Sequence, residues 1–208
     1  VAGSDNLGDV NDTVELMPGA FKDITSNGYT FTLESGFPAT GFNGAKFTLN
    51  TPSGKTASDY TWLSDQSWVT VTNAGLITFG DATSSTRTVT ITAISNSAGN
   101  QSLAFTFTIS TWYLLDLNSH LSQTDSVNYC TERDAAMPSS AQLSSGQNVR
   151  GIGSLWGQWG NLLGATSDRW YRTTTSSYTI VESATGSIWA YNQPAIVGNI
   201  GVACVKSL

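Results

Sequence analysis

The chain has 208 residues, of which 12% are charged and 11% are aromatic, and its formal net charge at pH 7 is −6. This acidic balance, with only nine scattered Lys and Arg residues, argues against a nucleic-acid partner, because phosphate groups would be repelled. No apolar run approaches the roughly 20 residues that a membrane-spanning helix needs, so this chain itself is not expected to contact a membrane.

The first half of the chain has the pattern of a β-sandwich. Residues 1–18 are polar and acidic without periodicity, and we expect a linker or the end of a preceding module there. Apolar residues then alternate with Thr, which is typical of strands with one face on a core. The predicted strands lie near 29–33, 47–50, 60–63, 69–72, 76–79, 89–93 and 105–109. Short strands with frequent turns predict a sandwich over residues 19–110, with Trp62 on a central strand in its core.

Helical spacing first appears after this region. Residues 112–117 predict one more strand. Ser122, followed by Asp125 three residues later, predicts the start of a helix that runs to about Asp134. Further elements are predicted as helices near 141–143 and 155–163 and strands near 170–174, 178–181, 188–191 and 202–205. No Gly/Ser-rich or Pro-rich linker separates the halves, so a stiff junction is expected at 109–112.

The only cysteines are Cys130 and Cys204, which lie 74 positions apart. This spacing fits no compact metal motif, and one long-range disulfide formed in an oxidising compartment is the expected arrangement. A pair of buried free thiols in a cytosolic protein is the alternative. A disulfide here would stabilise the second half by about 4–5 kcal/mol, through the entropy that it removes from the unfolded chain.

Two runs in the first half are distinctive: 35–49 (SGFPATGFNGAKFTL) and 60–71 (YTWLSDQSWVTV). They resemble the last immunoglobulin-like module of the intimin/invasin family of Gram-negative surface adhesins. In the second half, the order of Cys130, the string at 138–143, Trp156-Gly-Gln-Trp159, Arg169-Trp170-Tyr171 and Val202-Ala-Cys204-Val resembles the family's C-type-lectin-like tip. The resemblance implies a mainly β chain of two domains: an immunoglobulin-like β-sandwich at 19–110, then an α+β C-type-lectin-like domain at 111–208.

The resemblance also implies a function. The chain would be the distal fragment of an outer-membrane adhesin, exposed on the bacterial surface, whose lectin-like tip binds a host cell-surface or secreted protein. We expect a monomer with no cofactor and no metal of its own. A carbohydrate-binding tip and a purely structural cell-surface module are the alternatives. Calcium-dependent sugar binding is disfavoured, because the Pro-containing turn at 191–195 lacks Glu and the chain has no Trp-Asn-Asp string.

Enzymatic activity is not expected. The single histidine, His120, precedes the predicted helix, and no Gly-x-Ser-x-Gly motif accompanies it. We interpret it as an ordinary surface-loop histidine.

Candidate binding residues lie in the second half. Integrin-binding invasins resemble this layout and use an aspartate shortly after the first lectin-like cysteine, which implies Asp134 as a ligand of a receptor-bound metal ion. A solvated acid at a helix end is the alternative. Trp, Tyr and Arg dominate interface hot spots. By that chemistry, the further candidates near strand ends and turns are Arg169, Trp170, Tyr171, Arg172 and Trp189. Trp156 and Trp159 are expected in the core.

Overall fold

The computed structural model describes residues 18–115, 117–176, 178–190 and 200–208. Apart from its last residue, the predicted linker at 1–18 lies outside these ranges, as does the turn at 191–195. The first half, residues 18–110, contains nine strands: β1 (Asp23–Ser26), β2 (Tyr29–Phe31), β3 (Thr40–Phe42), β4 (Lys46–Asn50), β5 (Tyr60–Ser64), β6 (Val69–Val71), β7 (Leu76–Phe79), β8 (Thr88–Ser95) and β9 (Leu103–Thr108).

The second half, residues 111–208, mixes short helices and strands. Its described elements are β10 (Thr111–Leu114), α1 (Gln123–Thr131), α2 (Ser140–Leu143), α3 (Leu155–Trp159), β11 (Trp170–Arg172), β12 (Thr179–Glu182), β13 (Ile188–Ala190), β14 (Ile200–Gly201) and β15 (Cys204–Ser207). Strands β11 to β14 form one sheet in the order β13-β12-β11-β14. The described chain is therefore mainly β, as predicted.

Two sheets of the first half pack face to face. One has the strand order β2-β1-β4-β7-β6 and the other β5-β8-β9. Phe107 on β9 lies 5.8 Å from both Phe47 on β4 and Phe79 on β7, measured between ring centroids, so aromatic rings fill the space between the sheets. The alternation predicted for β8 is confirmed, since Val89, Ile91 and Ala93 are fully buried while Thr90 and Thr92 between them are only half-buried.

The prediction that Trp62 lies on a central strand is wrong. Its strand, β5, is at the end of its sheet. The indole is nevertheless buried, because it stacks on Phe21 at 5.4 Å between centroids and donates through Nε1 to the Ala57 carbonyl at 2.9 Å. Phe21 therefore shields the Trp62 indole from solvent at this edge of the sheet.

The boundaries of the helices follow from local capping. The Ser122 side chain accepts a hydrogen bond from the Asp125 backbone N–H, which starts α1 as predicted. The helix ends at Thr131, earlier than predicted, and the next residues form a closing turn. The predicted helix at 155–163 ends at Trp159, because Gly160 adopts φ 72° and breaks the helical path.

The two halves share a sheet and a core. Strand β3 of the first half pairs in parallel with β10 of the second, and β10 pairs on its other side with β15. Trp159 on α3 lies 5.0 Å from Phe37 and 5.5 Å from Phe42, between ring centroids. The second half therefore packs on the first through strand pairing and through aromatic contacts.

A polar seam accompanies these contacts. The buried Gln158 Oε1 accepts the backbone N–H groups of Ala39 (2.9 Å) and Thr40 (3.2 Å). Arg150 donates to the carbonyls of Ser26 (2.7 Å) and Asn27 (2.8 Å), and burial lowers the pKa of its guanidinium. Backbone groups of the first half thus depend on side chains of the second.

Replacing Gln158 with Leu tests this seam. The substitution nearly conserves side-chain size but leaves two backbone N–H groups without their acceptor, so we expect the free energy of unfolding to fall by about 2–3 kcal/mol. Chemical denaturation of the full chain measures the loss. The exposed Gln147→Leu is the matched control and should change stability by less than about 0.5 kcal/mol. Equal stability of the two variants would contradict the role given to Gln158.

Candidate functional site

The described residues contain no cluster of three or more His, Cys, Asp or Glu that would hold a metal ion. Over the same ranges, no helix has both the length and the apolar character to cross a bilayer.

His120 is not an isolated surface histidine: its Nε2 lies 2.8 Å from Asp168 Oδ1. Because Asp168 is only 5% exposed, this contact gives a buried carboxylate a partner, which is a structural role.

The predicted disulfide is confirmed, and the alternative of free thiols is wrong. Cys130 on α1 is bonded to Cys204 at the start of β15, with their Cα atoms 5.4 Å apart. A second connection lies close by, where Ala136 and Val205 exchange backbone hydrogen bonds of 2.8 and 2.7 Å. The chain between Cys130 and Ala136 is therefore held against β15 at both ends.

Asp134 lies in this short segment. It adopts φ 53°, the left-handed conformation that usually favours glycine. Its own N–H donates to the Thr131 carbonyl (3.1 Å), and the next N–H, of Ala135, donates to the Cys130 carbonyl (3.0 Å). These two bonds form the Schellman closure of a helix C-terminus, in which the residue beyond the cap is left-handed. The backbone under Asp134 is thus fixed by four nearby attachments.

The carboxylate of Asp134 is exposed and lacks an internal counter-ion. Within the described ranges, His120 contacts Asp168 and Arg169 forms an ion pair with Glu182, and no contact of this kind involves Asp134. The residue lies at a shallow concavity of about 390 Å³. The other residues that line it are Thr111, Ala135, Ala136, Gln142, Val205, Lys206 and Ser207. An ionised group here is available to an external cation.

A hydrogen bond from a neighbouring strand fixes the backbone of Gln142, one of the residues that line this concavity. The hydroxyl of Tyr113 on β10 donates to the Gln142 carbonyl at 2.8 Å. Burial raises the pKa of Tyr113 well above its ordinary value, so the hydroxyl remains a neutral donor. Helix α2 is fixed to β10 by this bond.

A second exposed group of side chains lies on the β13-β12-β11-β14 sheet. Trp189 is 52% exposed and contacts Trp170 edge-on, with 5.9 Å between ring centroids. The Arg169 guanidinium lies over the Trp170 ring at 5.4 Å and also pairs with Glu182 at 3.2 Å. We call Arg169, Trp170 and Trp189 the aromatic patch. Exposed apolar neighbours on the same strands or next to them are Tyr178 and Ile188, which the sequence analysis did not single out.

Two of the candidate contact residues are not exposed. Tyr171 is 1% exposed and Arg172 is 6% exposed, so neither side chain can serve as a surface anchor. Tyr171 points to the opposite face of β11 from Trp170 because side chains alternate along a strand. Arg172 is buried with its Nε donating to the Leu121 carbonyl at 2.7 Å. Trp156 and Trp159 lie in the core, as predicted.

Comparison with known proteins places these features in a family context. Residues 22–107 match the family model "Invasin, domain 4". The chain is 28% identical over 184 residues to the inverse autotransporter adhesin YeeJ of Escherichia coli, which covers 83% of this chain and 8% of that protein. It is 30% identical over 176 residues to the invasin of Yersinia enterocolitica, which covers 79% of this chain and 21% of that protein. The chain therefore spans only a small part of the length of these relatives.

Two solved structures have a similar fold. The crystal structure of invasin, described as a bacterial integrin-binding protein, has a TM-score of 0.76 at 25% identity and covers 91% of this chain and 39% of that one. The crystal structure of a C-terminal 282-residue fragment of intimin, bound to the intimin-binding domain of the translocated intimin receptor, has a TM-score of 0.62 at 19% identity. That match covers 89% of this chain and 64% of the intimin chain, and it supports the fold alone.

Proposed function

We propose that this chain is the receptor-binding end of a bacterial adhesin. Its residues 22–107 match the invasin domain 4 family, and most of its length is homologous to bacterial adhesins. Residues 19–110 would serve as an immunoglobulin-like spacer and residues 111–208 as a lectin-like head. The head would bind a host cell-surface or secreted protein from outside the bacterial cell. Its work would be binding rather than catalysis.

The observation that carries this proposal is the presentation of Asp134. Its carboxylate is exposed, has no ion pair among the described residues, and stands on a backbone fixed by the disulfide and by the Ala136–Val205 bridge. A group on a fixed backbone loses little backbone freedom when it binds, so less of its interaction energy is spent on ordering. In the proposed complex, Asp134 supplies one ligand to a divalent cation held by the receptor.

Three kinds of support come from relatives, from the packing of the two halves and from the surface of the second half. Invasin is described as integrin-binding, and the intimin fragment was crystallised with a receptor domain, so proteins of this fold bind protein partners. The shared sheet of β3 and β10 would hold the head in one orientation relative to the spacer. The aromatic patch provides Trp and Arg side chains of the type that anchor protein interfaces.

The proposal predicts a cation-dependent interaction with host cells. The fluorescently labelled 208-residue chain should bind cultured mammalian cells. A chelator should abolish the binding without changing the melting temperature of the chain, because the metal would belong to the receptor. Pretreating the cells with protease should remove binding, whereas pretreating them with glycosidases should not. Loss of binding after glycosidase treatment alone would support the carbohydrate-binding alternative. No binding to any host surface would favour the structural module.

The aromatic patch should contribute to the same affinity. We expect Trp189→Ala to weaken cell binding about tenfold, which corresponds to about 1.4 kcal/mol and is modest for a hot-spot tryptophan. Ile94→Ala is the matched control, since Ile94 is 43% exposed on the sandwich of the first half. A titration by flow cytometry compares the two variants. Equal affinities for Trp189→Ala and Ile94→Ala would remove the patch from the binding surface.

A further inference from the structure

The residue next to Asp134 in the chain is a cation that could occupy the Asp134 carboxylate in place of an external cation. Arg133 directly precedes Asp134 and is exposed on the same closing turn. Arginine carries a permanent positive charge and forms paired hydrogen bonds to carboxylates. If this guanidinium reached Asp134, the carboxylate would already be occupied when a partner arrived.

The structure shows that Arg133 is engaged elsewhere. Its Cζ lies 3.4 Å from the centroid of the Tyr129 ring, and its Nη1 donates to the Tyr129 carbonyl at 2.9 Å. Arg133 lies two residues beyond the end of α1, and the closing turn brings its guanidinium back over Tyr129, four residues earlier. One tyrosine therefore holds the guanidinium by its ring and by its backbone.

Tyr129 is itself held in place. It is half-buried and packs against the small cluster of Cys130, Met137, Val202 and Cys204 around the disulfide. A ring supported in this way provides a fixed face for the cation, which the negative face of an aromatic ring attracts. The guanidinium is therefore directed back along α1 by a supported surface.

We infer that Tyr129 is a positioning residue, which holds Arg133 away from Asp134 and so leaves the carboxylate unpaired for the cation of the partner. The inference rests on the proposed function of Asp134. It adds two residues, Tyr129 and Arg133, that act through Asp134 without touching the cation. It also explains how an exposed acid next to an exposed arginine remains without an ion pair.

The placement of Arg133 is tested first in the isolated 208-residue chain. The NMR signals of the Arg133 Hδ protons should be shifted upfield by the Tyr129 ring current in the wild type and in Tyr129→Phe. In Tyr129→Ala this shift should vanish. The backbone carbonyl of residue 129 remains as an acceptor, but without the ring the guanidinium should also make new contacts with Asp134. Unshifted Arg133 signals in the wild type would overturn the inference without any use of a receptor.

Binding to host cells then tests the consequence. Tyr129→Ala should weaken binding about threefold to fivefold, the range expected for competition by one exposed ion pair, and the loss should shrink at high salt. Tyr129→Phe should bind like the wild type, and adding Arg133→Met to Tyr129→Ala should restore binding. Wild-type affinity in Tyr129→Ala, or a loss that Arg133→Met does not rescue, would overturn the inference. Undiminished binding by Asp134→Asn would instead show that the proposed function of Asp134 is wrong.

Discussion

Replacing Asp134 with Asn should weaken binding to the host receptor by about a hundredfold, because loss of one partner in a close charged contact costs about 2–5 kcal/mol. Asn has nearly the same size and also tolerates the left-handed conformation, so the turn should remain intact. Affinity for a purified receptor, measured by surface plasmon resonance, gives the number. Binding within about threefold of wild type would contradict the role of Asp134, since that is less than 1 kcal/mol.

Replacing Asp134 with Gly should make the chain more stable, although it weakens binding. Asp134→Gly should raise the free energy of unfolding by about 0.5–1 kcal/mol, because Gly adopts the observed φ without a steric cost. The same variant should lose binding as completely as Asp134→Asn. Asn148 is the matched control, since it also has a positive φ, at 57°, and does not line the concavity at Asp134. Asn148→Gly should gain comparable stability and keep full affinity.

Removal of the disulfide should have the largest effect on stability. Cys130 and Cys204 are 74 positions apart, and opening a loop of that length should lower the free energy of unfolding by about 4.5 kcal/mol. This is a large part of the stability of an ordinary domain, which is about 5–15 kcal/mol. Urea denaturation of a Cys130→Ala, Cys204→Ala double variant, compared with oxidised wild type, measures the loss.

The same double variant should also bind less well. Cys130 supplies the carbonyl that accepts the N–H of Ala135, so freeing this end of α1 loosens the turn under Asp134. Reduced wild type should behave like the double variant. A loss of stability below about 1 kcal/mol would show that residual structure already restricts the unfolded state of the second half without the disulfide.

The sequence predicted the strands that alternate and missed those that depend on tertiary pairing. Strand β8 was recognisable because Val89, Ile91 and Ala93 alternate with Thr. Strand β3 was not, because its pairing partner β10 is about 70 residues away, beyond any local pattern. Its central Gly41 also weakens strand propensity. A β-carbon on Gly41 would lie 2.6 Å from Trp112 Cζ3, so glycine is required by a contact that only the folded chain reveals.

The candidate site was predictable to a similar extent. The position of Asp134 came from its place after the first cysteine, but nothing in the sequence indicated its left-handed conformation, which arises from the closure of α1. Arg172 was misjudged because arginine is usually exposed. Here the chain buries it and gives its Nε a backbone carbonyl, which is a compensation that composition cannot show. The role of Tyr129 was not predicted, because a tyrosine in a helix has no distinctive pattern in the sequence. Only the structure shows that Arg133 lies over its ring.

The pairing of β3 with β10 has a mechanical consequence. Three residue pairs, from Thr40–Thr111 to Phe42–Tyr113, join the halves side by side. If a bound receptor pulls the second half while the first is tethered, tension crosses this parallel ladder and the aromatic packing of Trp159 together. Neither half can swing about a loose linker, so the load is borne by many weak contacts at once. Such a joint transmits force as a rigid coupling, so under load the two halves would move together and not separate first.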